Sequence, residues 1–125
     1  MKGAKIHYKE LSYQVMEAVF EVHNTLGAGF VERVYEDALA YELELREIAF
    51  ENQKLVTVRY KEHVVGTHRL DFVVDGKIVL ELKAASAITD AFKQQTLSYL
   101  KATDLKLGIL INFGTPRVEY VRIVN

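Results

Sequence analysis

A chain of 125 residues, half of them apolar and a quarter charged, has the size of one domain able to bury its own core. The absence of cysteine excludes a disulfide framework, a cysteine zinc site and a thiol nucleophile, and no apolar run approaches the roughly 18 residues of a membrane span. Net charge is −1, which excludes nucleic-acid binding by bulk charge alone, yet it is unevenly placed: −5 over residues 1–51 and +4 over residues 52–125. The opening Met1 to His7 lacks the apolar stretch of a signal peptide, so one soluble cytoplasmic domain over residues 1–125 is expected, with no membrane partner. A polyanion, if bound, should approach the second half.

Leu11, Val15, Ala18, Val19, Val22 and Leu26 recur at helical spacing, with Ser12 as a candidate N-cap. Gly27-Ala28-Gly29 interrupts the pattern, and a second helix is predicted from Val31 to Glu47, with Val34, Ala38, Tyr41 and Leu45 inward and Glu36, Asp37, Glu44 and Glu47 toward water. After Asn52 the period changes. Leu55 to Tyr60 and His68 to Val74 read as strands, followed by the turn signal Asp75-Gly76 and a strand from Ile78 to Lys83. Thr89 to Ala102 is helical again, with Phe92, Thr96, Tyr99 and Leu100 inward. Lys106 to Asn112 is apolar on both faces, as an interior strand is, and Val118 to Val124 reads as an edge strand. The order α-α-β-β-β-α-β-β describes an α/β domain with a mixed sheet covered by helices.

The informative segment runs from Leu70 to Lys83. A three-residue loop, Asp75-Gly76-Lys77, pairs Val74 with Ile78 and so sets Asp71 opposite Glu81. Alternation then places Asp71, Glu81 and Lys83 on one face and Leu70, Phe72, Leu80 and Leu82 on the other; a two-residue loop would separate the acids. Two carboxylates face to face repel, and a hard divalent cation relieves them because it takes oxygen ligands and keeps water beside one or two carboxylates. The plain alternative is a solvent-facing strand, which the apolar flanks on both sides disfavour.

At this point the sequence resembles the PD-(D/E)xK nuclease superfamily: an Asp on one strand, a turn, and Glu-x-Lys on the next, here Leu70-Asp71 and Glu81-Leu82-Lys83, with Leu70 in place of the proline. Gly29-Phe30-Val31-Glu32-Arg33-Val34-Tyr35 is similar to the Gly-x-x-Glu-x-x-Tyr that names the GxxExxY proteins of that superfamily, as is the ending from Tyr99 to Phe113. Gln95-Thr96-Leu97-Ser98-Tyr99 resembles the Gln-x-x-x-Tyr of the RecB-like exonuclease branch. The resemblance implies a restriction-endonuclease-like core with a mixed central β-sheet flanked by helices. It further implies Asp71, Glu81 and the Leu82 carbonyl as ligands of Mg²⁺ or Mn²⁺, with Glu32 added directly or through water. Lys83 would position or activate the attacking water, and Gln95 and Tyr99, one turn apart, would contact phosphate or steady the ligands.

Each residue also has a simpler role open to it. Gly29 with Glu32 fits a capping box, Tyr35 fits core packing, and Gln95 and Tyr99 could satisfy buried hydrogen bonds. Gly27-Ala28-Gly29 lacks the Lys-Ser/Thr of a phosphate loop, and His7, His23, His63 and His68 lack metal-ligand spacing, so core or surface roles are expected for all four histidines. The resulting expectation is a Mg²⁺- or Mn²⁺-dependent nuclease acting on nucleic acid, DNA ahead of RNA. The alternative is a non-catalytic module that keeps the fold and binds nucleic acid or protein, favoured by the lack of an evident DNA-gripping arm. Small size and an apolar C-terminal strand are compatible with a homodimer.

Overall fold

The computed structural model describes residues 7–125; the stretch from Met1 to Ile6, part of the N-terminus read above, lies outside them. Three helices, α1 (Lys9–Leu26), α2 (Glu32–Leu45) and α3 (Asp90–Thr103), pack on a five-stranded sheet of β1 (Phe50–Tyr60), β2 (His63–Val74), β3 (Ile78–Lys83), β4 (Leu107–Asn112) and β5 (Glu119–Val124). The strands lie in chain order; β3 and β4 are parallel, with α3 as their connection, and every other pair is antiparallel. The expected order of elements and the mixed sheet are both present. No helix among the described residues is long and apolar enough to cross a membrane.

One core lies under α1 and α2, where Val15, Val19, Tyr35, Leu39 and Leu43 meet Phe72, Leu80, Leu82 and Ile109. A smaller one lies under α3, where Leu100 meets Val56, Leu70, Val73 and Val79. β4 is buried along its whole length, as its apolar run predicts, and β5 forms an edge. Gly108 lets α3 approach β4 closely, since a Cβ there would stand 3.1 Å from Thr96 Cγ2.

The bounds and facing of four elements differ from the sequence expectation. Helix α1 starts a turn before Ser12, at Lys9 with Tyr8 as N-cap, and the Ser12 hydroxyl instead accepts from Arg122 of β5 at 2.9 Å. In α2 the inward stripe is Tyr35, Glu36, Leu39 and Leu43, while Tyr41 and Leu45 are exposed. Two stripes of helical spacing run side by side in this segment, and the one carrying Leu39 and Leu43 takes the core; with it the helix brings Glu36 inside. Strands β1 and β2 also begin five residues before their apolar runs, at Phe50 and His63, because each is paired by the other rather than by the core.

Past Lys83 the chain is clamped by Asn112, wholly buried at the end of β4. Its side-chain oxygen accepts from Ala85 N–H (2.9 Å) and Gly114 N–H (3.1 Å), and its amide donates to Ala85 O (3.0 Å). The approach is tight enough that a Cβ at Gly114 would stand 2.3 Å from Ala85 O. Gly114→Ala should therefore cost more than about 2 kcal/mol, lowering the thermal midpoint by roughly 5 °C or more. An unchanged midpoint would show that the clamp is not needed.

Candidate active site

The Asp75-Gly76 turn is left-handed at both residues (φ 53° and 64°), Lys77 N–H donates to Val74 O at 2.9 Å, and Val74 pairs with Ile78 as the loop length requires. Regular pairing continues through Val73↔Val79 to Phe72↔Leu80 and then stops. At the next position each acid reaches across to the other strand's backbone. Asp71 N–H donates to Glu81 Oε2 at 2.9 Å, and Leu82 N–H donates to Asp71 Oδ2 at 2.8 Å. The two carboxylates are thus held side by side by reciprocal bonds in place of the ladder.

The facing expected for Leu70 is not observed. Phe72 packs under α1 and α2, but Leu70, two residues earlier, packs under α3 beside Leu100. The inversion passes through Asp71 and the residue opposite it on β1, Gln53, which adopts a left-handed φ of 56°. β1 inverts in step, since Phe50 packs on Phe72 whereas Val56 joins the α3 side. Asp71 therefore sits where the two-stranded ribbon turns over.

Four acids and one lysine converge there. Glu32 opens α2 at its first turn; Val31 is the N-cap, no side chain among the described residues caps the helix, and the capping-box role for Glu32 is not taken up. Tyr35 is core, as expected, stacked on Phe113 with ring centres 4.6 Å apart. Its hydroxyl donates to Gly27 O and accepts from Phe30 N–H, fixing the loop that delivers Glu32. Glu36, expected in water, is buried; its Oε2 accepts from Asn52 Nδ2 (3.0 Å) and Gln53 Nε2 (2.6 Å), and Gln53 also reaches Asp71 Oδ1 at 3.4 Å.

Burial dominates the electrostatics. It pushes Glu81 up to about 8, helped by the charge of Asp71. Burial likewise raises Asp71, whose amide bond from Leu82 acts in the opposite sense, and raises Glu32, with Asp71 adding to the effect. Lys83 is the cation that all three feel, yet its ammonium lies over the Phe92 ring, 4.6 Å from the centre, rather than in an ion pair with a described residue.

His68 belongs to this cluster as well, against the core or surface role expected of it. Its ring stacks on Tyr99 (3.9 Å, 12°), and its Nε2, buried and without a hydrogen-bond partner among the described residues, stands 3.7 Å from Glu81 Oε1. Burial and then Lys83 lower its pKa, and burial with Glu81 raises that of Tyr99. Gln95, one turn before Tyr99 on α3, is exposed and bonded to no described residue. The Leu82 side chain is wholly buried in the core, so only its backbone is open to chemistry.

Each carboxylate of the pair has one oxygen held by a short amide bond and one engaged only at long range. That donor set, all hard oxygen in a region short of positive charge, fits a divalent cation such as Mg²⁺. No group of three or more His, Cys, Asp or Glu among the described residues is arranged to hold a metal ion by itself. A cation here would take two carboxylates and complete its shell with backbone oxygen and water.

A family model described as the PD-(D/E)XK nuclease superfamily matches residues 9–123. The fold is the restriction-endonuclease-like one. It is shared with the crystal structure of SSO0001 (19% identity, TM-score 0.61, 94% of this chain and 57% of that one). It is shared too with an alkaline exonuclease, LHK-Exo from Laribacter hongkongensis (9% identity, TM-score 0.54, 97% of this chain and 72% of that one). The chain thus spans little more than half the length of SSO0001. Comparison with curated proteins gives no match.

The raised Glu81 has a consequence for stability. A carboxyl whose pKa is higher folded than unfolded keeps a proton in the folded chain, so stability is full below the unfolded value and is lost as pH rises through the folded one. For Glu81 that window runs from its ordinary 4.5 to about 8. In metal-free buffer, Glu81→Gln should melt higher than the unsubstituted chain near about pH 8.5, by roughly 5 °C, and the gap should close toward about pH 5. A gap independent of pH would contradict the buried, proton-retaining carboxyl.

Proposed function

Because the chain belongs to the PD-(D/E)XK nuclease superfamily, we propose that it is a metal-dependent nuclease that hydrolyses phosphodiester bonds in nucleic acid, with DNA as substrate and Mg²⁺ or Mn²⁺ as the ion. The observation that carries this reading is the reciprocal pairing of Asp71 and Glu81 with each other's strands, which keeps two acids together in a buried region despite their repulsion. Members of the superfamily generally use divalent metal ions, and the oxygen donors of this site suit one.

Asp71, Glu81 and the Leu82 carbonyl would hold the ion, with Glu32 and Glu36 acting through water from α2. When bound, the ion supplies Lewis-acid polarisation of the phosphodiester. Lys83, with no acid among the described residues in direct contact, would meet the phosphate and stabilise charge that develops on it during attack by water. Removing the ammonium takes away a contact that strengthens as charge builds, so the loss falls on turnover more than on binding. Tyr99 and His68, stacked as one unit, wall the site on the α3 side, and Gln95 lies one turn along for contact with the nucleic-acid backbone. Within the superfamily we assign the chain to the GxxExxY group on Gly29, Glu32 and Tyr35.

Purified protein should nick or degrade DNA when Mg²⁺ or Mn²⁺ is supplied and should stop when the ion is chelated. Lys83→Ala should lower the rate by about 10²–10³-fold while the thermal midpoint moves by only a few degrees. Equal rates in the variant, or salt-sensitive binding without cleavage in any divalent metal, would count against the nuclease and for a binding module.

A further inference from the structure

The distal half of the β1–β2 hairpin leaves the sheet. β2 pairs with β3 only from Phe72 to Val74, whereas its pairing with β1 runs on to Tyr60↔His63 at the tip. Among the described residues the only strand beside β2 from His63 to Leu70 is β1, so the two form a ribbon roughly 26 Å long at ~3.3 Å per residue, its base packed under α3 and its distal part from Thr57 to Thr67 clear of it. Almost every residue from Thr57 to Thr67 is exposed.

Its charge is opposite to that of the chain as a whole. Residues 54–69 carry Lys54, Arg59, Lys61 and Arg69 against one acid, Glu62, for +3 in a molecule of net −1; Lys54 at the base pairs with Glu51 at 3.0 Å, which leaves Arg59, Lys61 and Arg69 as the outer cations. By strand alternation, Val56 and His68 turn toward α3, where Leu100 and Tyr99 receive them. The opposite face presents Leu55, Thr57 and Arg59, with Arg69 and Thr67 across from them, all exposed. The bulge between Val58 and Arg59 adds twist near the tip. The base of the ribbon is the acid cluster itself: Arg69 is two residues from Asp71, and Lys54 follows Gln53, whose amide reaches Asp71.

We propose that this ribbon is a duplex-gripping arm that seats in the major groove of B-form DNA and delivers the flanking backbone to Asp71 and Glu81. The inference rests on the nuclease reading and adds to it the class of substrate and the surface that holds it. A B-form major groove, about 12 Å wide, admits a two-stranded ribbon, while the deep, narrow major groove of A-form RNA does not. Guanidinium and hydroxyl groups on the exposed face suit phosphates and base edges, and exposed Leu55 and Val64 suit thymine methyls. A second copy of the chain is a poorer occupant, since it would set one +3 ribbon against another. The arm that the sequence did not reveal is long because β3 is short.

The test is fluorescence anisotropy with a 20-base-pair DNA duplex in Mg²⁺, all chains carrying Lys83→Ala to suppress cleavage. Adding Arg59→Glu and Lys61→Glu at the tip should weaken binding by at least about tenfold and reduce the slope of log affinity against log salt by about 2, near 0.9 for each lost phosphate contact. Reversing Lys101 and Lys106, exposed and off the ribbon, changes net charge equally and should cost less than about threefold. Equal losses from the two pairs, no loss from the ribbon pair, no duplex binding, or equal affinity for an RNA duplex of the same sequence would each overturn the arm. Cleavage by the chain with Lys83 intact is read separately. DNA held by the ribbon but never cut would contradict the nuclease reading alone, and cutting with an indifferent ribbon would contradict the arm alone.

Discussion

Two hydrogen bonds, from Asp71 N–H to Glu81 Oε2 and from Leu82 N–H to Asp71 Oδ2, hold the rest of the site in place. A regular antiparallel ladder would have spent those amides on carbonyls and left the acids to repel across the strands. Here the ladder stops at Phe72↔Leu80, and the side chains take over the pairing. The exchange gives each carboxyl group an amide bond, charge-assisted whenever that group is ionised, that partly offsets its desolvation. It does not offset it fully, as the elevated Glu81 shows. The deficit of positive charge that remains is what a divalent cation would fill.

The same place is where β1 and β2 turn over. Plain alternation sends Phe72 and Val74 to the core under α1 and α2 and Val73 to the core under α3, and would send Leu70 to the first of these as well. The inversion through Gln53 and Asp71 lets Phe50 and Phe72 fill one core and Val56 and Leu70 the other. It also frees the distal ribbon from β3. Acid pair, change of face and projecting arm are three results of one departure from regular pairing. α2 completes the site from the side, with its entry loop tied down by Tyr35 and its first two turns presenting Glu32 and Glu36.

Much of this was legible in the residues. Asp75-Gly76 determined loop length and therefore register, the apolar run from Leu107 to Ile111 marked an interior strand, and Thr89 marked the start of α3, where its hydroxyl accepts from Phe92 N–H. What stayed hidden depends on contacts remote in sequence. Gln53 carries no glycine signal for its left-handed backbone, so the fate of Leu70 could not be read from alternation. Glu36 looked like surface because an equally regular apolar stripe lies one position away on α2. His68 has no ligand spacing; only its place three residues before Asp71 on the same strand hinted at the site. The ribbon was invisible because Glu51 to Lys54 and His63 to Thr67 carry no clean period of two.

The most direct test of the central claim is a crystal grown or soaked with Mn²⁺ and measured for its anomalous scattering. A peak bounded by the carboxylates of Asp71 and Glu81 is expected, with both inter-strand amide bonds retained and the peak absent in Asp71→Asn. A well-ordered site with no peak between those two side chains, or a peak held by other residues, would contradict it.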